Sequence, residues 1–150
     1  MILDSTTEFA DATSVGTPNN TTVNVGNTID TEVIRDIGAG HPLYFVVTVD
    51  TAITSGGAAT VAFLLVSDSS DTIATDGTAT KHIETDAIAK ASLVAGYTMV
   101  VPLPSVNPEY ERHLAFQVKE TAGQALTAGA VNAFLTQDPT GWKSLADNTK

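Results

Sequence analysis

Apolar and polar residues alternate with a period of two along much of the chain, the pattern of β-strands buried on one face. In PLYFVVTVDT, residues 42–51, one face carries Leu43, Phe45, Val47 and Val49, and the other carries Tyr44, Val46, Thr48 and Asp50. RHLAFQVKE, residues 112–120, alternates in the same way, with Leu114, Phe116 and Val118 directed inward and His113, Gln117 and Lys119 outward. ATVAFLLVSD, residues 59–68, is apolar on both faces, which predicts a central strand of a packed sandwich.

Further strands follow from shorter runs. The two apolar arms of VTVDTAITSGGAATVAFLLVSDSSD, residues 47–71, flank a Gly-Gly pair and predict a β-hairpin. TMVVPLP, residues 98–104, contains two prolines, which restrict it to a sheet edge or a strand end. AVNAFLTQ, residues 130–137, predicts a strand, whereas TTVNV at 21–25 and TEVIRDI at 31–37 predict weaker ones.

For one segment the sequence does not decide between a helix and a strand. TDAIAKASLVAGY, residues 85–97, has good helix formers and a terminal glycine, but its small and β-branched residues favour a strand and a turn. Short strands separated by turn residues predict an all-β, single-domain β-sandwich with jelly-roll or Greek-key connections. We expect an N-terminal arm at residues 1–20, a jelly-roll-like sandwich at 21–138 and a C-terminal tail at 139–150.

Charge and composition limit the partners and the class of protein that we expect. The formal net charge is −10 with seven thinly spread basic residues, so we expect no nucleic-acid partner and no membrane association. The chain has no cysteine, and its first residues lack the basic and apolar regions of a secretory signal. We therefore expect an acidic, soluble domain.

Two acidic clusters suggest metal binding and each has a plainer interpretation. His82, Glu84 and Asp86 alternate in HIETD, which places them on one strand face, but a solvent-facing polar strip is the favoured interpretation. The loop carboxylates Asp68, Asp71 and Asp76 do not match the spacing of an EF-hand, and Asp is also a common turn residue. We predict neither a metal site nor a cofactor.

The sequence contains few signs of a catalytic site. The sequence has no Gly-x-Ser-x-Gly nucleophile motif, and its three histidines stand in unrelated contexts. We therefore predict that the chain is not an enzyme.

Apolar residues outside the strand pattern give a stronger indication of function than the metal-binding and catalytic patterns do. Ile2, Leu3 and Phe9 lie in the predicted arm, and the only tryptophan, Trp142, lies in the predicted tail. Aromatic and apolar anchors are typical of protein interfaces, although the same residues could instead cap the ends of the sandwich within one chain.

The order of segments resembles one known family. MILDSTTEFADA, IRDIGAGHPLYFVVTVDTAITSGGAATVAFLLVSD, LVAGYTMVVPLP, YERHLAFQV and TAGAVNAFLT occur in that order over roughly residues 1–138. Together they resemble the capsid cement, or decoration, proteins of short-tailed bacteriophages, like those of Bordetella phages. The segment after Pro139 departs from this resemblance.

The resemblance implies a jelly-roll sandwich on the outer surface of an icosahedral capsid, made in the host cytoplasm. It implies binding to the major capsid protein, bridging of neighbouring capsid subunits and assembly as a homo-oligomer, with a dimer favoured and a trimer possible. It carries over no catalytic residue and no cofactor. As capsid contacts we predict Ile2, Leu3, Phe9 and Trp142, with Arg35 and Arg112 pairing with shell carboxylates because arginine binds carboxylates bidentately.

Two other functions remain open from the sequence. One is a carbohydrate-binding or receptor-binding sandwich of a phage tail or an adhesin, since this fold hosts many functions. The other is a small enzyme or metal-binding domain centred on His82, Glu84 and Asp86.

Overall fold

The period-two segments of the sequence form ten β-strands in a computed structural model that describes residues 5–33, 40–105 and 108–140. The strands are β1 Glu8–Ser14, β2 Thr22–Asn24, β3 Ile29–Asp30, β4 Tyr44–Ser55, β5 Thr60–Asp68, β6 Thr80–Glu84, β7 Ile88–Ala89, β8 Thr98–Pro102, β9 His113–Glu120 and β10 Leu126–Thr136. Every strand pair is antiparallel, so the all-β prediction is confirmed. No helix in the described ranges is long and apolar enough to cross a membrane.

The strands form two sheets with a jelly-roll order. One sheet runs β1-β10-β4-β8 and the other β2-β9-β5-β6, with β3 added beside β9 and β7 beside β5. If β2 and β3 are counted as one broken strand, and β6 and β7 as another, successive strands from β1 to β5 alternate between the sheets. The resulting orders, 1-8-3-6 and 2-7-4-5, are those of a jelly roll. The predicted sandwich and its jelly-roll connections are confirmed.

Phenylalanine rings join the two sheets. Phe45 of the four-stranded sheet packs on Phe116 of the six-stranded sheet with 5.8 Å between ring centroids. Phe116 also contacts Phe63 at 5.9 Å, and Phe45 contacts Phe9 edge-on at 6.0 Å. Tilted and edge-on rings at such distances stabilise a core beyond the area they bury. All four rings are fully buried.

The predicted hairpin at residues 47–71 is wrong. Its two arms are β4 and β5, which do not pair with each other: β4 lies between β10 and β8, and β5 lies between β9 and β6. The Gly-Gly pair therefore carries the chain from one sheet to the other. At Gly57 a β-carbon would overlap the end of the Gln124 side chain, which would have to move to admit a larger residue.

The predicted arm is also wrong in part, because residues 8–14 form β1 of the four-stranded sheet and pair with β10. Phe9 at its start is 0% exposed and belongs to the core. The next turn holds this strand in place, since the Asn27 N–H donates to the Phe9 carbonyl at 2.6 Å. Gly26 has a φ of +77°, and a β-carbon there would overlap the same carbonyl. The sandwich therefore begins before residue 20.

Three further predictions had different outcomes. For TEVIRDI, the strand β3 ends at Asp30 and residues 31–33 are not in a strand, whereas residues 34–37 lie outside the described ranges. The ambiguous segment at 85–97 forms the short strand β7 and a 3-10 turn at Lys90–Ser92, so its strand-and-turn interpretation is confirmed. The edge position of TMVVPLP is confirmed by β8, which ends at Pro102 on the margin of its sheet.

Candidate functional site: outer faces and sheet edges

The outer face of the six-stranded sheet is covered by the chain itself. Residues 69–79, which we call the roof loop, connect β5 to β6. Ile73 and Ala79 of this loop are buried in a small apolar cluster with outward-facing residues of β5 and β9, namely Ala62, Leu64, Val66 and Ala115. Burial on both faces explains why β5 is apolar from Val61 to Val66.

Amide side chains fix the roof loop to the sheet. Gln117 of β9 donates through Nε2 to the Ala74 carbonyl at 2.9 Å and to Asn24 Oδ1 at 2.8 Å. Asn24 in turn donates through Nδ2 to the Ile73 carbonyl at 3.0 Å. Gln117 is only 3% exposed, although its outward direction predicted a solvent-facing residue. The roof loop explains this difference, because it lies over the face to which Gln117 points.

The carboxylates suggested for calcium serve the turns of the roof loop. Asp68 accepts the backbone N–H of Ser70 at 3.0 Å. Asp76 accepts the N–H of Thr78 at 3.0 Å and its hydroxyl at 2.6 Å, and these hydrogen bonds lower the pKa of Asp76. Asp71 accepts from the hydroxyl of Thr72. Such contacts are those of turn-forming aspartates.

The residues of HIETD are not brought together. His82 stacks on Tyr110 with 3.9 Å between ring centroids, and its Nε2 lies 2.7 Å from Ser67 Oγ. Glu84 pairs instead with Lys81 at 2.7 Å and Lys119 at 3.2 Å, which lowers its pKa. Asp86 lies beyond the end of β6. Within the described ranges, no three His, Asp or Glu side chains gather as a metal-ligand set.

His82 and Ser67 form a close pair that the sequence did not indicate. Ser67 is 0% exposed, and its Oγ also accepts the backbone N–H of Glu111 at 3.0 Å. A substrate cannot reach this hydroxyl, so the pair stabilises the fold rather than presenting a nucleophile. Burial lowers the pKa of His82 to about 4, which keeps the ring neutral at physiological pH.

Glu120 is a buried carboxylate with a structural role. Its side chain accepts backbone N–H groups of Asn20, Ala122, Gly123 and Gln124 at 2.8 to 3.2 Å. Although burial opposes ionisation, these hydrogen bonds give a net lowering of the Glu120 pKa. The carboxylate thus ties the turn after β9 to the chain entering β2.

Arg112 is exposed, but its guanidinium already has a partner. Its Nε and Nη2 donate to the two carboxylate oxygens of Asp30, each at 2.7 Å. This fork holds the pKa of Asp30 well below its usual range. The predicted pairing of Arg112 with shell carboxylates stays a prediction, and a shell carboxylate would have to use the remaining guanidinium nitrogen or displace Asp30.

The predicted apolar contacts have different outcomes. Phe9 is a core residue, and its capsid-contact role is wrong because its ring packs against Phe45 inside the sandwich. Ile2, Leu3, Arg35 and Trp142 lie outside the described residues, so their contact roles stay predictions.

Exposed aromatic rings, which sugar sites commonly use, are scarce in the part of the chain that the structure describes. All five phenylalanines are buried, as is Tyr110, whose hydroxyl donates to the Pro104 carbonyl at 2.8 Å. Tyr44 and Tyr97 are partly buried. The described surface therefore gives no specific support to a carbohydrate site.

Exposed apolar side chains lie instead at and near β8. Val100, in the middle of β8, is 40% exposed, and Val94, in the turn before it, is 53% exposed; Val33 is the third large apolar residue of this kind. Thr98 and Pro102 share the outer face with Val100 and are also exposed. The inner face carries Met99 and Val101, which pack against the core.

The four sheet margins of the described chain differ in how they are protected. β1 carries Glu8 and Asp11 and has two register shifts against β10. β6 carries Lys81 and Glu84, and the margin beside β9 is broken into β2 and β3. Charges, bulges and breaks are the devices that stop edge strands from pairing with other chains. β8 has no charged residue and no bulge against β4.

Comparison with known proteins places this jelly roll in a phage family. A search of curated proteins finds no match. A family model named Bbp16, the name of a Bordetella phage protein family, matches residues 9–135, from the start of β1 almost to the end of β10. The match thus spans all ten described strands and most of the chain. This chain belongs to the Bbp16 family.

Proposed function

We propose that this protein is a capsid cement protein, which binds the outside of an icosahedral phage shell and bridges neighbouring major capsid subunits. The main support for the proposal is membership in the Bbp16 phage family. The ordered sequence resemblance to the cement proteins of short-tailed phages supports the finer assignment to the capsid surface. The proposed function is structural rather than enzymatic.

A sandwich of this kind suits a clamp. The two sheets are joined by the tilted contact between the Phe45 and Phe116 rings, and the roof loop is fixed to the six-stranded sheet by hydrogen bonds of Gln117 and Asn24. A stiff block that contacts two capsid subunits at once gains from effective concentration, so each individual contact can be weak. Bridging of this kind opposes separation of the subunits when the shell is under internal pressure.

Cosedimentation with expanded phage capsids that have been stripped of cement protein tests the proposal. We expect saturable binding at a fixed ratio to the major capsid protein and a higher temperature of capsid disruption. Absence of binding to expanded shells would refute the proposal.

Point substitutions test the predicted contacts without harming β1, which a deletion of residues 1–10 would truncate. Ile2→Ser with Leu3→Ser, Arg35→Ala and Trp142→Ala are the test variants. Lys81→Ala is a control for Arg35→Ala, because it removes one cation from the exposed surface of β6. We expect the test variants to lower capsid occupancy while Lys81→Ala keeps it. If every variant keeps full occupancy, these contact assignments fail although the proposed function still stands.

A further inference from the structure

The turn that follows β3 adopts a rare backbone conformation. Glu32 at its centre has a φ of +64°, and the Val33 N–H donates to the Thr31 carbonyl at 2.7 Å. A hydrogen bond between residues two apart, around a residue of positive φ, defines the strained form of the three-residue γ-turn. A residue other than glycine keeps such a conformation only where the surrounding contacts enforce it.

The enforcing contacts come from Asp30, at the end of β3, and from Arg112, just before β9. Asp30 Oδ1 accepts the Glu32 N–H at 2.7 Å, while the same carboxylate is held by the fork of Arg112. The Thr31 N–H donates to the Arg112 carbonyl at 3.0 Å, and the Thr31 hydroxyl lies 2.8 Å from the carbonyl oxygens of both Arg112 and Val33. These hydrogen bonds fix the turn against the six-stranded sheet.

The fixed turn exposes the side chain of Val33 instead of burying it. Val33 is 56% exposed, more than Val94 and Val100, the other large apolar residues that are exposed in the described ranges. A single exposed apolar residue is ordinary on a protein surface, but a strained turn that is tied in place to present one is not. Strained residues held by their surroundings are concentrated at binding sites. The arrangement is therefore that of a contact residue on a firm support.

We propose that Val33 docks into an apolar depression on a major capsid subunit, bordered by a basic side chain that meets Glu32. This inference rests on the proposed cement function and names one of its contacts. Glu32 is exposed beside Val33, and the chain as a whole carries a formal net charge of −10. Charges across an interface are arranged to be complementary, so the surface that receives this turn is basic.

Capsid binding of two valine variants tests the contact. Each full-length protein is titrated onto expanded capsids stripped of cement protein, and cosedimentation gives the dissociation constant. Val33→Ser should weaken binding about tenfold or more, the effect of losing one buried valine side chain. Val94→Ser removes a similarly exposed valine from another turn and should bind like the wild type. Both variants should keep the wild-type urea midpoint, because substitutions at exposed positions change stability little.

Glu32→Asn tests the basic border separately. Asparagine tolerates a positive φ, so the turn is kept while the charge is removed. We expect weaker binding and a shallower dependence of the dissociation constant on salt concentration, because salt then has one ion pair fewer to screen. Asp86→Asn removes another exposed carboxylate, away from this turn, and should keep the wild-type salt dependence.

The outcomes separate the contact from the cement function. If the wild type binds and Val33→Ser binds equally well, or if Val33→Ser and Val94→Ser lose the same affinity, the Val33 contact is overturned and the cement function stands. An unchanged salt dependence in Glu32→Asn would overturn the basic border. A wild-type chain that does not bind stripped capsids would refute the cement function, and the Val33 contact with it.

Discussion

Over the six-stranded sheet, the roof loop covers the outward apolar residues of β5 and β9, and Ile73 at its centre is only 4% exposed. At the margin of the four-stranded sheet, Val100 of β8 is 40% exposed, and none of the loops that the structure describes covers it. Burial of apolar surface contributes to folding stability, whereas an apolar side chain that stays exposed contributes little to it. The comparison therefore assigns stability to the roofed face and little of it to the outer face of β8.

The same substitution at the two faces should have very different effects. Ile73→Asp removes a buried side chain and places a charge against Leu64 and Val66, so we expect a loss of about 3 to 5 kcal/mol in the free energy of unfolding. Val100→Asp, on an exposed strand position, should change it by less than about 0.5 kcal/mol. Urea unfolding of both variants at low protein concentration measures the difference. Equal losses would contradict the assignment of the two faces.

The amide network beneath the roof loop should contribute less than the apolar contact. Gln117→Leu keeps the side-chain size but leaves the Ala74 carbonyl and the Asn24 side-chain oxygen without their donor. We expect a loss of about 2 kcal/mol, because buried acceptors without a donor are unfavourable. Thr98→Val on β8 is the matched control and should be near neutral. Urea midpoints measured for both proteins check this, and a neutral Gln117→Leu would show that the roof loop does not need this anchor.

Low pH should reduce the stability of the fold through His82, which lies in β6 just after the roof loop. The pKa of His82 is about 4 in the folded chain, against 6.5 for an exposed histidine. Between these values the unfolded chain binds a proton that the folded chain does not, so stability falls as the pH drops from 6.5 to 4. We expect a loss of order 1 to 2 kcal/mol, since partial exposure of the ring reduces the full linkage energy.

The carboxylates should lose their stabilising effect at a lower pH than His82 does, so the two effects can be separated. Asp76, Glu84 and Glu120 have lowered pKa values, so their stabilisation is lost only as the pH falls below the usual carboxyl range. His82→Gln should therefore flatten the stability curve between pH 6.5 and about 4.5 while keeping the steeper loss below it. Urea unfolding at a series of pH values gives both curves. An unchanged slope in His82→Gln would assign the loss to another group.

The sequence predicted the strands better than their partners. Alternation identified β4 and β9, and apolar runs identified β5 and β10, because both patterns depend on local spacing alone. The false hairpin at the Gly-Gly pair arose because two adjacent apolar strands fit either one sheet or two facing sheets. The choice between them depends on β10 and β9, which come much later in the chain.

The candidate contacts show a similar limit. An apolar residue near the N-terminus, such as Phe9, looks the same whether it binds a partner or its own core. An arginine such as Arg112 gives no sign that Asp30, 82 residues earlier in the chain, occupies it. The edge at β8 was partly predictable, since its prolines excluded a central position. Its lack of protection became visible only when the other three margins were known.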